Sequence, residues 1–124
     1  MSIWQVMQHA EVKYMTANEY QKLAARTINP DLDYIDMRKH AAFGLASEVG
    51  ELLGLFQKEY QGHHVVPEHV KKELGDIAWM LAEFATSCGW DLEDVFQTNI
   101  DKLKARYPDG FDAEHSLHRK EGDV

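Results

Sequence analysis

The sequence predicts an all-α fold, a bundle of four main helices with a short additional helix in front. Three observations predict it. Apolar residues recur at spacings of three and four through most of the chain, which is the helical period. No segment alternates apolar and polar residues for long enough to be a strand. Hydroxyl or acidic residues stand ahead of the apolar stripes, and glycine or proline stands behind them, so the stripes separate into rods. A chain of 124 residues, 44% hydrophobic and 27% charged, reads as one domain able to build its own core.

The first candidate element opens at Ser2-Ile3-Trp4-Gln5, a hydroxyl followed three residues later by Gln. Ile3, Met7, Ala10 and Tyr14 follow at helical spacing, so residues 1–15 read as a short helix or an extension. Thr16-Ala17-Asn18-Glu19 is a second capping box, leading into a helix with Tyr20, Leu23, Ala24 and Thr27 on one face and Asn29-Pro30 behind it. Asp31 or Asp33 then caps a long helix to about Tyr60. Its apolar stripe is Leu45, Val49, Leu52, Phe56 and Tyr60, and Gly62 stands where a left-handed C-terminal cap needs it. Gly44, Gly50 and Gly54 inside that helix, and Gly75 in the next, each cost about 1 kcal/mol against alanine. Close approach of a neighbouring backbone would explain them; a weak or broken helix is the alternative.

Pro67 suits the first turn of the next rod. There Val70, Leu74, Ile77, Leu81, Phe84 and Cys88 form the most regular stripe in the chain, ended by Gly89. Asp91-Leu92-Glu93-Asp94 starts the last main helix, with Leu92, Val95, Phe96, Ile100 and Leu103 apolar and a stop at Tyr107-Pro108. Residues 16–111 thus make the domain. Residues 112–124 are a polar tail without a stripe, expected to be mobile.

Composition excludes several functions. The formal net charge of −8 argues against a nucleic-acid binder with a broad basic face. The single cysteine, Cys88, permits no internal disulfide and fits a reducing compartment, as a small buried residue. No uninterrupted apolar run is long enough to span a membrane, and no secretory signal is visible at the start, so a cytoplasmic location is expected.

The chemistry lies in two acidic pairs. Glu48-Val49-Gly50-Glu51 and Glu73-Leu74-Gly75-Asp76 each read acid, apolar, glycine, acid, with 21 residues between them. On a helix the two acids of a pair stand about 60° apart around the axis and about 4.5 Å apart along it. Antiparallel packing of the two helices would gather four carboxylates, which need positive charge to hold them together. Each pair flanks a stripe residue, at the edge of the core, where an unpaired carboxylate is costly. Two readings stay open on the residues alone: a cation site, or ordinary pairs with Lys58, Lys71 and Lys72. An all-oxygen donor set points to Mg²⁺, with Mn²⁺ as the alternative. Di-iron bundles use Glu-x-x-His, and no Glu here has His at that spacing. His63 and His64, in the connecting loop, are expected to face solvent.

Asn99, Lys102 and Arg106 line one polar stripe of the last helix. They form either a solvated face or, beside a metal cluster, a grip for phosphate. The ordered set Glu48-Val49-Gly50-Glu51, Glu73-Leu74-Gly75-Asp76 and Asn99-Ile100-Asp101-Lys102-Leu103-Lys104-Ala105-Arg106-Tyr107-Pro108-Asp109-Gly110-Phe111 resembles the MazG-type all-α nucleoside triphosphate pyrophosphohydrolases, over roughly residues 16–111. The resemblance implies hydrolysis of an NTP or dNTP to monophosphate and pyrophosphate, and a homodimer or homotetramer. It also implies Mg²⁺ on Glu48, Glu51, Glu73 and Asp76. Asn99, Lys102 and Arg106 would contact substrate, and Lys58, in the Leu55-Phe56-Gln57-Lys58 stretch that also resembles the group, is a further candidate. The competing readings are a non-catalytic helical module that dimerises through residues such as Leu53, Leu55, Trp79 and Met80, and a regulator that binds nucleotide without cleaving it. Nothing marks a base preference; Tyr20, Gln21 and Trp79 are the candidates near a base.

Overall fold

The computed structural model describes residues 14–124. The short helix or extension expected over residues 1–15 therefore lies, but for Tyr14 and Met15, outside the described residues. Five helices follow, with no strand among the described residues: α1 (Ala17–Ala25), α2 (Tyr34–Tyr60), α3 (Pro67–Ser87), α4 (Leu92–Arg106) and α5 (Ala113–Leu117). Among the described residues no helix is long and apolar enough to cross a membrane.

Local chemistry sets the ends. Thr16 Oγ1 accepts from Glu19 N at 3.1 Å while Glu19 Oε2 accepts from Thr16 N at 3.1 Å, a complete capping box on α1. Asp33 Oδ1 accepts from Asp36 N at 2.8 Å at the start of α2. Both long helices stop in the same way. Gly62 (φ 94°) donates to Glu59 O and His63 N to Lys58 O; Gly89 (φ 71°) donates to Thr86 O and Trp90 N to Ala85 O. These are paired Schellman bonds, and their left-handed residue is glycine because it carries no Cβ. The start of α4 is different. Asp91 makes no side-chain cap; instead Gln21 Oε1 accepts from Leu92 N at 2.6 Å and Asn18 Oδ1 from Glu93 N at 3.1 Å. Side chains of α1 thus satisfy the free N–H groups of α4, and Gln21, suggested near a base, serves this joint.

α2 stays unbroken through its glycines, and it packs antiparallel on α3: Arg38 meets Ser87, His40 meets Glu83, and Gly44 lies under Met80. A Cβ on Gly44 would come within 2.3 Å of the Met80 sulfur, whereas one on Gly50, Gly54 or Gly75 would meet nothing within 4 Å. Close approach therefore accounts for one of the four, and through a side chain rather than a backbone.

The buried faces differ from the expected stripes. On α2 the buried residues are Met37, Ala41 and Leu55, while Val49, Phe56 and Tyr60 are exposed. On α3, Glu73, Glu83 and Ser87 are buried together with Ala82 and Ala85, while Leu74 and Leu81 are half exposed. Among the described residues α2 has one substantial neighbour, α3, which covers one narrow face of it. A hydrophobic cluster of Ala24, Ala82, Ala85 and Leu92, with Tyr20 and Trp79 against it, joins α1, α3 and α4. After Leu92, α4 leaves that core, and Val95, Phe96, Ile100 and Leu103 stay open to solvent. The polar tail, expected to be mobile, carries α5, capped by Asp112, and folds back so that Asp123 grips Arg106.

Candidate functional site

The antiparallel register of α2 and α3 sets the first acidic pair against the second. Carboxylate oxygens of Glu48, Glu73 and Asp76 all lie within 4.8 Å of one another. Glu73 is buried, Glu48 half-buried and Asp76 exposed, so the group opens to solvent on one side. Glu51, the fourth acid, is exposed and stands outside this trio, though its charge still reaches Glu48.

Two oxygens of the trio, Glu48 Oε2 and Glu73 Oε2, are fully buried with no hydrogen-bond partner. Among the described residues no lysine or arginine pairs with any of the four acids; the one side chain that reaches them is His69, whose Nε2 lies 3.3 Å from Glu73 Oε1. Pairing with Lys58, Lys71 or Lys72, the alternative left open by the sequence, is thus not found. Buried acceptors without donors are costly, and a hard cation with oxygen ligands removes that cost. The donor set fits such an ion.

Burial, then the charges of Asp76, Glu51 and Glu73, hold the Glu48 carboxyl above its ordinary 4.5. From α1, Tyr20 approaches close enough that burial and Asp76 together raise its phenol. The sign of the linkage follows for Glu48. A carboxyl whose folded pKa is raised binds more protons folded than unfolded, so the metal-free fold loses stability as pH rises from about 4.5 through the raised value. A bound cation needs the ionised acid and reverses that slope. Thermal melts between about pH 4 and 8 should therefore show Mg²⁺ protection growing as pH rises through this window. A Glu48→Gln chain should show a shallower metal-free slope than the parent; equal protection at every pH, or an unaltered slope in that variant, would contradict the assignment.

The other candidates are carried by α4 and by the last turn of α2. Asn99 and Lys102 are exposed on the stretch of α4 that leaves the core, and Lys58 is exposed in the last turn of α2. Arg106 is largely buried, but its fork is closed on Asp123: Nε to Oδ2 at 2.8 Å and Nη2 to Oδ1 at 2.7 Å. Among the described residues none of these four hydrogen-bonds to the acidic trio. The sequence reading also passed over His69, although its spacing of four from Glu73 put it on the same face, and it passed over a pair with no local signal at all. Glu83, 1% exposed, meets His40 Nδ1 at 2.6 Å across the helix interface.

The family model described as the MazG nucleotide pyrophosphohydrolase domain matches residues 38–111, which include all four acids and the Asn99–Arg106 stripe. The Gene 37 protein of Mycobacterium phage L5 is 30% identical over 81 residues, covering 61% of this chain and 71% of that protein. No solved structure matches significantly.

Proposed function

The chain belongs to the MazG nucleotide pyrophosphohydrolase domain family, and from that premise we propose that it hydrolyses a nucleoside or deoxynucleoside triphosphate to the monophosphate and pyrophosphate, with Mg²⁺ held by Glu48, Glu73 and Asp76. The observation that carries this reading is the pair of buried, partnerless oxygens, Glu48 Oε2 and Glu73 Oε2, in a trio of acids that no lysine or arginine of the described residues neutralises. A scaffold gains nothing from such a cluster, whereas a cation site requires it.

When bound, Mg²⁺ supplies charge that neutralises the phosphates and acidifies water. The chain's own residues do the rest. Glu51, outside the trio but beside it, is the acid free to take a proton from the attacking water. Glu48, Glu73 and Asp76 fix the direction from which the phosphates enter. No Ser, Cys or His nucleophile is needed, because phosphoryl transfer rests on positioning and charge. Asn99, Lys102, Arg106 and Lys58 are the donors proposed for the phosphate chain.

A second copy of the chain completes this reading. Phe96, Ile100 and Leu103 line an exposed face of α4, and Leu53, Phe56 and Tyr60 an exposed face of α2. Apolar area of this extent on a small domain favours burial against another protomer. Light scattering should give a dimer or tetramer, and Ile100→Glu with Leu103→Glu should shift it toward monomer; a monomeric parent chain would remove this part. Incubation with a panel of NTPs and dNTPs tests the activity. Mg²⁺-dependent release of pyrophosphate is expected from at least one of them. Binding without turnover would favour the regulator, and release of orthophosphate would mean a different hydrolase.

A further inference from the structure

The segment after α4 is folded chiefly on itself. Asp112 caps α5 by accepting from Glu114 N at 2.7 Å and His115 N at 3.3 Å, and Glu114 pairs with His118 at 2.7 Å. Yet among the described residues α5 has no extensive packing against another helix. Among the described residues, the ion pair that ties the segment to α4 is Arg106 with Asp123, both largely shielded from solvent. The tie is a fork closed on two oxygens, the arrangement by which arginine also takes phosphate.

Around that tie lies a cavity of about 330 Å³, lined by Lys102, Arg106, His115, His118, Arg119 and Lys120 among others. Its lysines and arginines number four against two acids, Glu121 and Asp123, in a chain whose net charge is −8. Such a local reversal of sign marks a place for an anion. The volume suits a phosphate chain rather than an extended polymer.

We propose that the end of α4 and the C-terminal segment form a polyphosphate pocket, in which the Asp123 carboxylate holds the place of a phosphate group on Arg106 until the ligand displaces it. The proposal rests on the reading of Arg106 as a phosphate contact and adds to it a competitor supplied by the same chain. A competitor that keeps Arg106 engaged lowers apparent affinity by the fraction of time the fork is free. Because the segment makes little other packing, releasing it leaves the bundle intact.

Calorimetric titration of the full chain with inorganic tripolyphosphate, without Mg²⁺ so that the acidic trio takes no part, is the direct test. Asp123→Asn, and Asp123→Ser as a second variant, should bind about tenfold more tightly than the parent, the gain expected when a contact closed nine-tenths of the time is removed. Adding Arg106→Gln should abolish the gain. Pyrophosphate and a non-hydrolysable nucleoside triphosphate, titrated in parallel, distinguish a product site from a substrate site by which one gains more. Unchanged or weaker binding by both Asp123 variants, folded by circular dichroism, overturns the proposal and makes Arg106–Asp123 a structural pair. The two readings separate cleanly. Pyrophosphate release with no gain in Asp123→Asn leaves the activity standing and removes the pocket. A gain in a chain that cleaves no nucleotide does the reverse.

Discussion

Asp76→Ala is expected to reduce Mg²⁺-dependent pyrophosphate release by about 10³-fold or more, because metal charge stabilisation contributes several kcal/mol to such a transition state. The same substitution should make the metal-free protein more stable. Asp76 lies within 4.8 Å of Glu48 and Glu73 and raises the Glu48 carboxyl by its charge; removing it relieves about 1 kcal/mol of repulsion, or about 3–5 °C in melting temperature for a domain of this size. Glu73→Gln should behave alike, since it neutralises a buried acid with an unpaired oxygen. The opposed signs discriminate between roles. A structural ion-pair acid, once removed, lowers stability and leaves turnover nearly intact. An acid kept for a cation does the opposite, the trade of stability for function seen at many active sites. Glu51→Gln completes the series: as a proton acceptor outside the trio, it should lower kcat about 10²-fold with Mg²⁺ affinity nearly unchanged. Assays of initial rate and melts with and without Mg²⁺ read all three. Parent-level turnover by Asp76→Ala, or a drop in its metal-free melting temperature, would end the assignment.

Legibility in the sequence followed the range of the interactions. The capping box at Thr16 and Glu19, the proline at the start of α3 and the glycines after α2 and α3 act within a few residues and could be read directly. The sequence narrows the cap of α2 to Asp31 or Asp33, of which Asp33 is the one used. The cap on α4 could not be read. Its donors meet Asn18 and Gln21, more than seventy residues earlier in the chain, and nothing near Asp91 announces them. Periodicity told that α2 and α3 are helices but not which face each buries. Both carry apolar residues on more than one face, and the neighbour decides: α3 takes the side of Met37, Ala41 and Leu55, leaving Val49, Phe56 and Tyr60 outside. The acids show the same division. Spacing on two antiparallel rods was enough to bring the pairs face to face, but it could not turn Glu51 away from the trio. Likewise Asn99, Lys102 and Arg106 were legible as a stripe, whereas the closure of Arg106 on Asp123 depends on the tail.

His40→Ala carries the largest expected loss of stability. Glu83 is 1% exposed, its Oε1 accepts from His40 Nδ1 at 2.6 Å, and its Oε2 has no partner. Taking away the donor leaves a buried carboxylate with nothing opposite it, at a cost of about 3 kcal/mol, or about 10 °C in melting temperature. Glu83→Leu alone should cost less, because it removes the buried acid and leaves a histidine that already reaches water. The double variant should recover most of the loss, since replacing both members of such a pair is often neutral or better. A cycle of the four proteins gives the coupling directly; a His40→Ala chain within 0.5 kcal/mol of the parent would show the pair to be idle. The effect should reach beyond stability. Glu83 lies seven residues, two turns, beyond Asp76 on nearly the same side of α3, and His40 lies eight residues before Glu48 on α2. A polar pair that tolerates one alignment of two helices fixes their register. The register fixed by His40 and Glu83 is the one that brings Glu48 against Glu73 and Asp76. The Glu83→Leu chain, stable but unpinned, should therefore show weaker Mg²⁺ protection against melting than the parent.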